Sequence, residues 1–230
     1  MNNSYEQQLE SIRALQLSLK KRLDGEQASL TGLAKRLWAQ QEAEKARLSR
    51  ELHDGVGQLL TGLTRRLDDL AATDPGLSEL YSIAEMALAD VRQLSRLMSP
   101  TILDDLGLKP ALKWLCRSLL EHEDIEYHCA IDFPLQLDKE INVLLFRIAQ
   151  ESLTNSVKHA QASLIKLMLT GHHNVVRLEI VDNGKGFDKA LITPGIGLAS
   201  IADRVKAFDA TLTLESAPGK GTRTIVTVPL

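Results

Sequence analysis

The chain has 230 residues, 44% hydrophobic, 25% charged and only 4% aromatic, a balance that suits one or two leucine-rich globular domains and excludes a fibrous or disordered polypeptide. Its net charge of −3 gives no electrostatic ground for a nucleic-acid or anionic-membrane partner. No apolar run approaches the roughly 20 residues of a membrane span, and no signal-peptide core opens the chain.

Residues 4–47 are polar and glutamine-rich, with Leu9, Ile12, Leu19, Leu23, Leu30, Leu33 and Leu37 in alternating three- and four-residue steps. Gln16, Glu26 and Gln40 also fall on this seam, and Gly25 and Gly32 interrupt it, so the heptad pattern is imperfect. Two readings stay open: an amphipathic helix lying on the chain's own core, or a parallel coiled coil. The second is preferred because the helix runs straight into the next one. The register breaks near Glu44, a stutter through which a rotation or shear could be passed onward.

Leu48, Leu52, Val56, Leu59, Leu60, Leu63, Leu67 and Leu70 keep helical spacing and predict one buried stripe. His53 lies at the stripe's edge, within reach of solvent, and Asp54 and Gln58, four apart, share a helix face. A lone histidine of this kind is ordinarily a boundary residue. Gly55 and Gly57, however, each cost about 1 kcal/mol against alanine inside a helix, and a helix that keeps both suits a bare surface where something large approaches His53. Ala72-Thr73-Asp74-Pro75-Gly76 is a turn. Residues 77–98 form a second helix, with Leu80, Ile83, Ala84, Ala87, Val91, Leu94 and Leu97 on one face. A two-helix hairpin cannot close a core alone, whereas two copies make a four-helix bundle, so a homodimer is expected.

Pro100 ends the hairpin, and residues 109–120 read as a helix packing Leu112, Leu115 and Trp114 onto a following domain. There the pattern becomes mixed. Strands are predicted at residues 125–131, 164–169, 175–181, 211–215 and 222–228, with a hairpin turn at 171–174. Helices are predicted at 139–159, with Ile141, Leu144, Leu145, Ile148, Leu153 and Val157 inward, and at 197–208. Helices on one face of a mixed sheet make an α/β sandwich. Cys116 and Cys129 lack CxxC spacing and are expected as reduced thiols; the adjacent pairs His128-Cys129 and His172-His173 are not expected to ligate a metal.

Four motifs fall in order along this second half. Residues 150–160 place Glu151, Asn155, Lys158 and His159 along one side of the long helix at i, i+4, i+7 and i+8. Oxygens of Glu151 and Asn155 are the hard ligands that Mg2+ prefers, and Lys158 offers a point charge to phosphate. Val181-Asp182-Asn183-Gly184-Lys185-Gly186-Phe187 closes a strand with a carboxylate able to accept from an adenine amino group and glycines that let backbone approach the base. Pro194-Gly195-Ile196-Gly197-Leu198 opens a helix with N–H groups free for phosphate. Gly219-Lys220-Gly221-Thr222 adds a turn whose Thr222 hydroxyl can support the adenine pocket. Singly, each glycine motif reads more readily as a plain turn.

Together these stretches resemble a known family. Glu51-Leu52-His53-Asp54-x-Val56-Gly57-Gln58 is similar to the phosphoacceptor box of two-component sensor histidine kinases, in the subfamily whose histidine is followed by aspartate. The later motifs match in order and spacing the N, G1 and G2 boxes and closing G-x-G-T of the GHKL (Bergerat) ATP-binding fold. Residues 99–108 resemble the family's connector, with Met98-Ser99 where relatives carry Arg, and Phe208-Asp209-Ala210 stands where relatives often have a glycine pair. The likeness spans about residues 44–230.

The resemblance implies an α+β chain in three parts: a signalling coiled coil at 1–43, a dimerising phosphotransfer hairpin at 44–100, and an ATP-binding domain at 101–230. It implies that ATP phosphorylates His53, with Asp54 orienting the imidazole and taking its proton. Asn155 would hold Mg2+ with Glu151 beside it, and Lys158 and His159 would contact phosphates. Asp182, Gly184, Gly186 and Thr222 would form the adenine pocket, with Gly195, Gly197 and Leu198 in a lid beginning at Asp188. A cognate response regulator would receive the phosphoryl group, and Asp54 with Gln58 would place water for its dephosphorylation. Many such relatives are membrane-anchored, so the chain is expected in the cytoplasm, alone or as part of a longer sensor. A degenerate dimeric adaptor would show gaps in these motifs, and an ATPase or serine kinase of the same fold would lack the His53 box.

Overall fold

The computed structural model describes residues 2–99, 101–132, 136–172, 174–188 and 196–230. Helix α1 (Asn2–Glu51) continues through a π-helical stretch, Leu52–Gly57, into α2 (Gln58–Ala71). The three pieces form one rod roughly 100 Å long. Asp74 then turns the chain by accepting the Gly76 N–H on Oδ1 at 2.9 Å, and Pro75–Leu77 makes a 3-10 turn. Helix α3 (Ser78–Met98) packs back on α2 and the end of α1. At the open end of this hairpin Ser49 and Ser95, both buried, donate to each other's carbonyls at 2.8 and 3.0 Å. That reciprocal pair fixes the register of α3 against α1 without leaving either hydroxyl unsatisfied.

A short helix α4 (Thr101–Leu106) and a left-handed Gly107 (φ +81°) lead into α5 (Leu108–Leu120). The rest is a sheet covered on one side by helices. Strands β1 (Glu126–Asp132), β2 (Leu164–His172), β3 (Val175–Asp182), β4 (Thr211–Ser216) and β5 (Thr222–Pro229) lie in the order β1-β2-β3-β5-β4. β1 runs parallel to β2, with Glu126 opposite Leu164, and the remaining pairs are antiparallel. Helix α6 (Lys139–Asn155), its π-helical continuation Ser156–Ala160, and α7 (Ile196–Ala207) complete the domain.

Alternation dictates the layering. Val176, Leu178 and Ile180 of β3 point inward with Ile165, Leu167 and Leu169 of β2, and they meet Leu112, Leu115, Leu144, Leu145 and Leu153 from α5 and α6. The intervening residues face outward, where Glu179 bridges Arg223 (2.7 Å) and Arg177 (3.1 Å). This is the two-layer sandwich that the sequence pattern predicts. Both cysteines are free thiols.

Two features differ from expectation. The stripe predicted to be buried along the hairpin is only partly so: Ala84 is buried, while Val56, Leu59, Leu63, Leu70, Leu80, Ile83 and Leu94 remain exposed, and Leu88, outside the predicted stripe, is buried. A hairpin has too few facing positions to cover two apolar stripes by itself. In addition, α1 is not solely a seam helix. Residues 10–30 are exposed, but further on it packs against α7, with Trp38 buried in the same core as the sheet.

Candidate phosphoacceptor and nucleotide site

His53, Asp54 and Gln58 are all exposed. His53 and Asp54 lie within the π-helical stretch, and Gln58 begins the α-helix that follows it. A π turn carries an extra residue, and residues four apart, such as Asp54 and Gln58, still fall on one side of it. The helix shape does not require glycine here, since a Cβ at Gly55 would meet nothing within 4 Å and one at Gly57 would only touch the Leu52 carbonyl at 3.6 Å; what the glycines remove is side-chain cover. Thr61 Oγ1 donates to the Gly57 carbonyl at 2.7 Å. The surface beside His53 is therefore bare.

The second half of the site is built on α6. Glu151 and Asn155 are half-buried, and Asn155 Nδ2 donates to Glu151 Oε1 at 3.2 Å. This contact leaves the Asn155 amide oxygen and the other Glu151 oxygen as hard acceptors. Among the described residues no three His, Cys, Asp or Glu side chains gather into an ion cage. An open pair of oxygen donors is nevertheless the kind of set that holds Mg2+ jointly with phosphate oxygens and retained water. Lys158 and His159 are exposed on the π-helical continuation, so their expected α-helical spacing from Glu151 is replaced by a wider turn.

Asp182 ends β3 and is 5% exposed. Its Oδ1 accepts the N–H groups of Gly184 (3.0 Å) and Thr222 (3.1 Å), and its Oδ2 accepts the Ser156 hydroxyl (2.9 Å). Thr222 thus supports Asp182 through its main chain, while its hydroxyl lies 3.3 Å from Ser216 Oγ. The glycines at this end of the sheet are also places where main chain passes main chain. A Cβ at Gly184 would lie 2.4 Å from the Ala160 carbonyl oxygen, at Gly186 2.1 Å from that of Ala217, and at Gly221 2.0 Å from that of Asp182. At each of these three positions any side chain would collide with main chain. Gly197 and Leu198 lie in the first turn of α7; Gly195 and the expected lid beyond Asp188 lie outside the described residues.

Some residues were not anticipated. Arg147, 5% exposed and one turn before Glu151, donates to Glu42 Oε2 through Nε (2.9 Å) and Nη2 (2.7 Å). It also donates to the carbonyls of Leu97 (2.7 Å) and Met98 (2.6 Å) at the end of α3. Lys45 joins Glu42 at 3.2 Å, and burial, with Arg147 nearby, holds its ammonium below the usual lysine range. Trp38 meets Phe208 edge-on with ring centroids 5.1 Å apart, and Lys35 Nζ lies 4.8 Å over the same ring. The available signals were a charged Arg147 inside the apolar run Val143–Ala149 and a tryptophan on a polar helix.

Comparison with known proteins places these halves together. Residues 44–103 match a family model described as "Histidine kinase", and residues 140–230 one described as "Histidine kinase-, DNA gyrase B-, and HSP90-like ATPase". The chain is similar to the sensor histidine kinase MctS of Rhizobium johnstonii, 35% identical over 212 residues, covering 85% of this chain and 45% of that protein. It is also similar to the signal transduction histidine-protein kinase/phosphatase DegS of Bacillus subtilis, 34% identical over 207 residues, covering 83% and 54%. The chain spans about half the length of these two relatives. Its fold is like that of the histidine kinase domain of a blue-light activated histidine kinase from Erythrobacter litoralis, with a TM-score of 0.53 over 83% of this chain and 94% of that one at 17% identity. Among the described residues no helix is long and apolar enough to cross a membrane.

Proposed function

The chain belongs to the histidine kinase family, with a phosphoacceptor hairpin ahead of a gyrase- and HSP90-like ATPase domain, and we propose that it acts as a sensor histidine kinase of a two-component system. ATP is the phosphoryl donor, and His53 the acceptor. The observation that carries this reading is the pairing of an exposed His53 on a bare π-helical turn with a buried, fully oriented Asp182 in an ATPase fold.

A ring nitrogen of neutral His53 attacks the γ-phosphorus, the bond to the β,γ-bridging oxygen breaks, and ADP leaves. Asp54 orients the imidazole and accepts its proton. Glu151 and Asn155 would hold Mg2+, which neutralises phosphate charge when bound. Lys158 and His159 would meet phosphates, Gly195, Gly197 and Leu198 would line the lid, and Asp182, Gly184, Gly186 and Thr222 would form the adenine pocket. The functional division follows the sequence: residues 1–43 carry input, 44–100 dimerise and accept phosphate, and 101–230 bind nucleotide. The exposed apolar stripes of the hairpin support a homodimer.

Phosphohistidine then passes its group to an aspartate on a cytoplasmic response regulator. Dephosphorylation of that regulator uses Asp54 and Gln58; DegS, a relative, is named a kinase/phosphatase. Incubation with γ-labelled ATP and Mg2+ tests the reading. An acid-labile, alkali-stable label is expected on the wild type and none on His53→Gln, while equal labelling of both overturns it. Gln58→Ala is expected to keep autophosphorylation and lose regulator dephosphorylation, and equal loss of both removes its assigned role.

A further inference from the structure

Ser156, to which neither the family resemblance nor the relatives assign a role here, occupies the first position of the π-helical stretch and is buried. A helical serine commonly bonds back to a carbonyl one turn earlier. Here its hydroxyl instead donates to Asp182 Oδ2 at 2.9 Å. The backbone around Asp182 is already fixed: Asn183 Oδ1 accepts the N–H groups of Ser163 and Leu164, each at 2.9 Å, and Lys185 N–H donates to the Ala160 carbonyl at 2.8 Å. Gly184 and Thr222 hold Oδ1. The remaining freedom is the swing of Oδ2 about that anchored oxygen, and Ser156 removes it.

An ionised carboxylate accepts only, in about four lone-pair directions. Among the described residues three donors reach Asp182, two at Oδ1 and Ser156 at Oδ2, so a direction on Oδ2 is left for a ligand. That direction can take an N–H donor, and it repels a carbonyl oxygen. We propose that Ser156 is a positioning and specificity-determining residue of the nucleotide site, its hydroxyl fixing the Asp182 carboxylate so that the open acceptor direction receives the exocyclic amino group of adenine and rejects the 6-oxo group of guanine. The inference rests on the ATP reading above and deepens it.

The test uses the 230-residue chain as wild type, Ser156→Ala and Ser156→Thr, measuring equilibrium dissociation constants for ATP and GTP alongside His53 labelling at saturating ATP. A hydrogen bond to a charged group corresponds to about a tenfold change in affinity. Ser156→Ala is therefore expected to weaken ATP binding about tenfold and leave GTP binding nearly unchanged, with labelling at saturation within about twofold of wild type. Ser156→Thr, which keeps the hydroxyl, restores the preference for ATP. If the alanine variant does not fold, Ser156→Cys carries the same measurement, with a weak S–H donor of similar size. An unchanged ratio of ATP to GTP affinity overturns the role of Ser156 alone, provided the wild type binds ATP and labels His53. A wild type that binds no ATP overturns both readings.

Discussion

Gly219 and Gly221 stand two residues apart with nearly the same left-handed backbone, φ +74° and +71°, yet their surroundings differ. A Cβ at Gly219 would meet nothing within 4 Å, whereas one at Gly221 would lie 2.0 Å from the Asp182 carbonyl oxygen. Gly219→Ala is thus expected to cost only the left-handed conformation, about 1 kcal/mol. Gly221→Ala adds a collision with backbone that cannot yield, so its cost should exceed about 3 kcal/mol. Urea denaturation of both variants decides, and equal costs would contradict the geometry. The sequence marked both as turn glycines; it could not distinguish them, because the obstruction belongs to a strand some forty residues earlier. Asp209 shows the reverse case. It takes φ +53° where relatives often carry glycine, and a helix-ending turn is kept by Asp209 N–H to the Lys206 carbonyl (3.2 Å) and Ala210 N–H to that of Val205 (3.1 Å). Aspartate tolerates that conformation better than most residues, so the departure in sequence leaves the geometry intact.

Helix α1 serves two faces, and only one was legible. The heptad count found the seam of Leu23, Leu30 and Leu37, which is exposed. It passed over Trp38, one place off that seam, and it had no means of joining Glu42 to Arg147 across 105 residues. Long-range pairing of polar residues leaves no periodic trace. The contact holds the nucleotide domain against α1 at Glu42, eleven residues and roughly 16 Å of helix before His53. It contains a cost as well: among the described residues the buried Trp38 indole N–H has no hydrogen-bond partner, a loss of about 1–3 kcal/mol. Because transfer needs the domain to reach His53, Trp38→Ala and Glu42→Gln are expected to raise the initial rate of His53 labelling severalfold. A fall in rate would mean that the docked arrangement is the productive one. Arg147→Met differs in kind, since it also strips the Leu97 and Met98 carbonyls at the end of α3 of their donor. Removing one partner of a buried pair costs about 3 kcal/mol or more, which denaturant unfolding of the variant would show.

At the scale of the molecule, the two-layer sandwich was legible because strand alternation and helix periodicity each point to one buried face. The hairpin was legible only in part: its periodicity announced a stripe, and the structure shows that stripe open, with Leu59 76% exposed. The proposed homodimer would supply the missing cover with a second copy of the same hairpin, since apolar faces of this extent on α2 and α3 are seldom left to water. Each leucine buried there contributes about 1.5–3 kcal/mol, and on a two-fold assembly every substitution counts twice. Leu59→Glu together with Leu63→Glu places four carboxylates in that interface while touching neither the nucleotide domain nor the Ser49–Ser95 clasp. Sedimentation equilibrium is expected to fall from twice the 25.4 kDa chain mass to the chain mass itself, with ATP affinity unchanged because Leu59 and Leu63 lie outside the core that carries the sheet. A variant that stays dimeric would place the interface on α1 instead, where Leu19, Leu23 and Leu30 are also exposed. A variant that loses ATP binding as well would show that hairpin and sandwich fold as one unit, joined through Arg147.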